Sequence, residues 1–130
     1  MVCSLRIYIT RQEVCEVTEM ITREDIGSVT ILVESESDFL SDTTALKEIC
    51  SQLVKEGRRK VILDLQNVYV VTSVYLGGLL SVTKILREGK GVLKLVHLQP
   101  AVSSVMEMTR LSRIIEIFND RETAIKSFSQ

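Results

Sequence analysis

The chain has 130 residues, enough for one domain with a hydrophobic core of its own. Hydrophobic residues make up 45% and charged residues 25%, a globular balance that excludes a disordered chain. A formal net charge of -1 excludes the broad basic surface of a nucleic-acid binder. No run approaches the roughly 18 consecutive apolar residues of a membrane helix.

The opening MVCSLRIYITRQEV has no apolar stretch of signal-peptide type, which points to the cytoplasm. Three widely spaced cysteines, Cys3, Cys15 and Cys50, offer neither a disulfide framework nor a zinc site. Leu5, Ile7 and Ile9 alternate with Arg6 and Tyr8, so residues 1 to about 10 are expected to pair at a sheet edge or with a second copy of the chain. Val14 to Thr22 alternates more loosely, and Arg23 to Gly27 reads as a turn. Val29, Ile31 and Val33 then share one face of a strand, with Leu32 on the other, which completes a hairpin.

The acidic stretch from Glu34 to Asp42 reads as a solvated loop whose Ser41 or Asp42 caps the next helix. In that helix Leu46, Ile49, Cys50, Leu53 and Val54 form an apolar stripe, and Gly57 ends it. Arg58, Arg59 and Lys60 read as a solvated turn. Val61 to Leu65 is a nearly continuous apolar run, the pattern of a strand covered on both faces. A helix is expected from near Ser73 to Gly89, laying Leu76, Leu79, Leu80, Thr83 and Leu86 on the sheet. Val92 to Leu98 is the next strand, and Pro100 opens a short helix at its first position. Ile114 to Phe118 makes a last strand, and Asn119 with Glu122 fits a capping-box start to a final helix. The fold class is therefore α/β, a mixed central sheet packed with about four helices.

Little of this chain reads as catalytic. His97 is the single histidine and falls in an apolar run, where it reads as structural. The HExxH and GxSxG patterns are absent, and the alternation Glu34, Glu36, Asp38 lacks the glycine and closing Glu of a calcium loop. Asp64 reads as a loop support. Neither a catalytic residue, a metal nor a cofactor is expected. Ser73 remains. As an N-cap it stabilises its helix by about 1 kcal/mol. A phosphate there would set roughly two negative charges at a helix N-terminus, where they are favoured, and would alter the surface without unfolding the domain.

The stretch VILDLQNVYVVTSVYLGGLL resembles the STAS domains, and within them the stand-alone bacterial anti-sigma-factor antagonists. The family pattern is an apolar strand, then Asp-Ser-Ser/Thr-Gly-Leu-Gly, then a helix. A second block, LKLVHLQPAVSSVMEMTRLSRIIEIFNDRETAI, is similar to the family's strand, Pro-Ala-Val helix start and closing strand and helix. These are the strongest parts of a resemblance that covers the chain from about Ile26 to Phe128. The resemblance implies a domain over residues 14–130 behind an extension over residues 1–13. It implies that Ser73 is a phosphoacceptor and that Asp38, Thr72, Ser73, Tyr75, Leu76 and Gly77 contact a partner. That partner is an anti-sigma factor that is itself a serine kinase; binding frees a sigma factor, phosphorylation ends binding, and a phosphatase resets the cycle. Thr72 stands where the family has Asp, Val74 where it has a second hydroxyl, and Tyr75 where it has Gly. The alternative is a constitutive interaction module of the same fold, or a ligand- or lipid-transport accessory domain, without a working switch.

Overall fold

The computed structural model describes residues 21–34 and 44–128 of the chain. One sheet runs in the order β1-β2-β3-β4-β5, from β1 (Ile21–Ile26) through β2 (Val29–Glu34), β3 (Lys60–Asp64) and β4 (Val92–Val96) to β5 (Glu116–Phe118). β1 is antiparallel to β2, and every later pair is parallel, so the sheet is mixed. Helices α1 (Thr44–Lys55), α2 (Ser73–Glu88) and α3 (Pro100–Met108) make the crossovers, and α4 (Arg121–Ser127) closes the chain.

Alternation along the strands sorts the core into two layers. Leu32, Val61, Leu63, Leu93 and Leu95 face Leu46, Cys50 and Leu53 of α1, Leu76, Leu79, Val82 and Leu86 of α2, and Val102 and Met106 of α3. Ile31, Ile62 and Val96 point the other way and pack beneath Ala124, Ile125 and Phe128 of α4. β3 is thus covered on both faces, as its unbroken apolar run requires. Lys94 is buried on the α4 side, where its ammonium bonds Ser127 Oγ at 2.6 Å and lies over the Phe128 ring. Such a buried charge is tolerable only with partners of this kind.

Local chemistry explains most boundaries. Gly27, at φ 61, supplies the positive φ that a two-residue hairpin loop needs, so the turn is Gly27–Ser28. Arg23 to Ile26, expected as turn, are strand residues of β1. Their side chains are exposed at an edge, so no apolar alternation marks them. Gly57, at φ 80, ends α1 with the Arg58 amide bonded back to the Leu53 carbonyl. The expected capping box is displaced: Asp120, not Asn119, caps α4 by accepting from the Thr123 amide at 2.7 Å. The expected strand over Val92–Leu98 stops at Val96, because His97 takes φ 56 and leaves the ladder. Leu80 lies outward on α2, and Val82 takes the inward position. The expected strand over residues 1–10, the extension over 1–13 and the caps Ser41 and Asp42 lie outside the described residues.

Two glycines test this packing in opposite directions. A methyl at Gly91 would stand 2.8 Å from the Arg59 carbonyl oxygen, which is backbone and cannot step aside. Gly91→Ala is expected to destabilise the domain by about 1–3 kcal/mol in urea unfolding. A methyl at Gly77 meets nothing within 4 Å. Gly77→Ala, in an open helical position, is expected to stabilise by about 0.5–1 kcal/mol.

Candidate functional site

The start of α2 lies at the C-terminal end of β3, and its cap is Thr72. Thr72 has extended backbone, its Oγ1 accepts from the Tyr75 amide at 3.1 Å, and its carbonyl takes the Leu76 amide at 3.1 Å. This corrects the expectation that Ser73 caps the helix. Ser73 is already its first residue, and the amide to be capped is within reach of the hydroxyl one position earlier. Ser73 is exposed and relieved of the capping role. No acidic residue stands in the first turn of α2, so nothing on the helix repels an anion there.

Ser73, Gly77, Leu80 and Lys84 recur at helical spacing along one exposed stripe of α2. Apolar surface accompanies them: Val74 is 68% exposed, and Tyr69 and Val70, on the connection into α2, are each about half exposed. The connection is nonetheless anchored. The Gln66 amide donates to Asp64, the Gln66 carbonyl accepts from Gln99 Nε2, and Val68 is fully buried.

Inward of Ser73 the first turn is fixed by a pair that local patterns did not reveal. Tyr75 was expected to contact a partner; its side chain is fully buried instead. Its hydroxyl donates to Glu34 Oε2 at 2.6 Å, and Glu34 at the end of β2 is buried too. The solvated-loop reading of Glu34 is therefore corrected. The sign of it lies in strand phase: Glu34 is two residues from Leu32, so alternation turns both to the α1–α2 side. Burial pushes the Glu34 carboxyl up to about 7, against the opposing effect of the Tyr75 hydroxyl. Burial, with Glu34 beside it, also pushes the Tyr75 phenol far above its usual range and the Cys50 thiol up to about 12.

Asp64, read from the sequence as a loop support, is paired with the histidine His97. Its carboxylate is fully buried on the α4 side, where Oδ2 accepts from Arg121 Nε at 2.9 Å and lies 3.0 Å from His97 Nδ1. These partners come from the ends of β3, β4 and the start of α4, so one carboxylate joins three elements. The basic cluster also has a structural member, since Arg58 donates to Thr30 Oγ1 at 2.6 Å and to the Gly27 carbonyl. Of the residues expected to meet a partner, Thr72, Ser73, Tyr75, Leu76 and Gly77 come together on the first turns of α2. Ser73 and Gly77 face outward, while Tyr75 and Leu76 are buried. Asp38 lies outside the described residues. Among the described residues, no group of three or more histidine, cysteine or acidic side chains could hold a metal ion, and no helix is long and apolar enough to cross a membrane.

A model of the STAS domain matches residues 18–124. BtrV of Bordetella bronchiseptica, provisionally named an anti-sigma factor antagonist, is 37% identical over 81 residues, which are 62% of this chain and 69% of that protein. A crystal structure of a Thermotoga maritima protein with the same provisional name superposes with a TM-score of 0.77 at 22% identity, covering 85% of this chain and 96% of that one. The phosphorylated form of the Bacillus cell fate determinant SpoIIAA gives 0.64 at 12% identity, covering 85% of this chain and 99% of that one. At these identities the two structures bear on the fold.

The buried Glu34 gives stability a definite pH dependence. Its folded value of about 7 lies above the ordinary 4.5, so the folded state holds the proton more tightly than the unfolded chain. This contribution is whole below about pH 4.5 and is lost as pH rises through about 7. Between pH 5 and pH 8.5 the wild type is expected to lose about 2–3 kcal/mol relative to Glu34→Gln, measured by urea unfolding of both proteins.

Proposed function

The chain belongs to the STAS domain family, and from that premise we propose that it is an anti-sigma-factor antagonist switched at Ser73. In the unphosphorylated state the first turns of α2 dock on a cytoplasmic anti-sigma factor with serine-kinase activity and free a sigma factor. The kinase transfers the γ-phosphoryl group of ATP to Ser73 Oγ, with ADP leaving and the hydroxyl proton released, and the complex separates. A phosphatase hydrolyses the ester and restores the docking state. The chain is the kinase's substrate and ligand, and performs no catalysis of its own.

The observation that carries this reading is the setting of Ser73, exposed on the first residue of α2 beside the largely exposed Val74. A partner that covers Val74 must also cover Ser73. A phosphate dianion there would have to be stripped of water in an apolar contact, which is costly without a matching cation. The departures from the family pattern weigh less than they first promise. Thr72 keeps the capping bond that an Asp would make, and Tyr75 turns inward. Val74 alone changes the exposed surface, and it makes that surface more apolar. Gly77 supports the same reading, because the helix keeps a glycine where a side chain would meet no neighbour.

The test is incubation with a cognate anti-sigma-factor kinase and ATP, alongside equilibrium binding of variants to the same kinase. One phosphate is expected on Ser73 and none on Ser73→Ala. Ser73→Asp is expected to bind about tenfold or more weakly than Ser73→Ala, a difference near 1.4 kcal/mol. Equal binding of the two variants would make the chain a constitutive module.

A further inference from the structure

We propose that Glu34 and Tyr75 are positioning residues for the switch: their hydrogen bond latches the first turn of α2 to the end of β2, and ionisation of Glu34 loosens that latch. The inference rests on the reading of Ser73 as the switch and adds a regulatory layer to it.

The geometry supports a latch. Tyr75 stands two residues after Ser73, and its fully buried ring carries the hydroxyl to Glu34 Oε2 at 2.6 Å. Glu34 is the last residue of β2, from which the chain departs toward Asp38. The connection into α2 is tied to the same point, since Asn67 Nδ2 donates to the Glu34 carbonyl at 3.4 Å. One buried carboxyl thus joins the first turn of α2, which carries Ser73, to the end of β2.

The surroundings explain why protonation governs it. Tyr75 from α2 and Cys50 from α1 are the titratable groups that bear on Glu34 among the described residues. On β1 its partner is Ile21, which is apolar. On β3 the nearest acid, Asp64, points to the opposite face of the sheet. Among the described residues, no cation is placed to compensate a charge on Glu34. The neutral carboxyl accepts the Tyr75 hydroxyl inside the core. The carboxylate accepts the same hydroxyl more strongly, but among the described residues Tyr75 is its one side-chain donor. The larger cost of burying the charge draws in water, which requires the α2 turn to part from β2. Burial raising the Glu34 value toward 7 places this change near neutral pH.

The experiment compares wild type, Glu34→Gln and Tyr75→Phe by hydrogen exchange read residue by residue. The reporters are the amides of positions 75 and 76, which bond Thr72 Oγ1 and the Thr72 carbonyl, referred to amides of the Leu79–Leu86 stretch. Converting rates to protection factors removes the intrinsic pH dependence of exchange. Wild-type protection at the two positions is expected to fall about tenfold between pH 5.5 and 8.5. Glu34→Gln, which keeps an acceptor and cannot ionise, stays protected throughout, and Tyr75→Phe is poorly protected at every pH. Should Tyr75→Phe not fold, the wild-type and Glu34→Gln profiles decide alone. Equal, pH-independent protection in the proteins compared would overturn the latch. The same proteins offered to a cognate kinase at pH 6 and pH 8 read the consequence. The rate of phosphorylation relative to Glu34→Gln drops for wild type at the higher pH, and an unchanged ratio counts against positioning of Ser73. If the kinase modifies none of them, it is the switch reading that fails, while the exchange data still judge the latch.

Discussion

The buried hydrogen bond between Tyr75 and Glu34 is the constraint on which the exposed face depends. A helix start is the least secured part of a helix, because its first amides have no intrahelical acceptors. Here Thr72 satisfies one of them, and the Tyr75 ring drives the turn down into the core. With the inward side fixed, the outward side is determined: Ser73, Val74 and Gly77 must face water. An exposed valine and a bare glycine on a helix give no folding advantage, and the docking surface proposed above would account for both.

The opposite face is secured by a second buried carboxylate. Asp64 collects Arg121, His97 and the Gln66 amide, so the ends of β3 and β4 and the start of α4 converge on one side chain. The connection from β3 to α2 therefore leaves a fixed origin and reaches a fixed helix start, which holds Tyr69 and Val70 at the surface between. On such a platform the phosphate proposed for Ser73 would act through charge and desolvation, with no refolding asked of the domain.

How far the sequence announced all this depends on range. The stripe of α1, the doubly covered run of β3, Pro100 at the start of α3 and Gly57 at the end of α1 are local signals, and each element lies where they indicate. The alternation of one hairpin with three crossovers was enough for the α/β class. The residues that hold the site in place work across distance. Tyr75 and Glu34 are 41 positions apart, His97 and Asp64 33, and Arg121 and Asp64 57. Acidity made Glu34 look solvated, although its phase with Leu32 pointed inward. Tyr75 was expected to meet a partner because the resemblance placed it in the contacting turn, yet it falls on the buried arc with Leu79 and Val82. The shift of the cap from Ser73 to Thr72 is a displacement of one residue, and it changes what the serine hydroxyl is available to do.

The most direct measurement of the central claim is an intact-mass spectrum of the protein isolated from its own cells, with phosphopeptide mapping, in growth and under stress. A fraction carrying one phosphate, mapped to Ser73 and changing between the two conditions, is the result this account predicts. A single unmodified mass in both conditions, or a phosphate mapped away from Ser73, would contradict it.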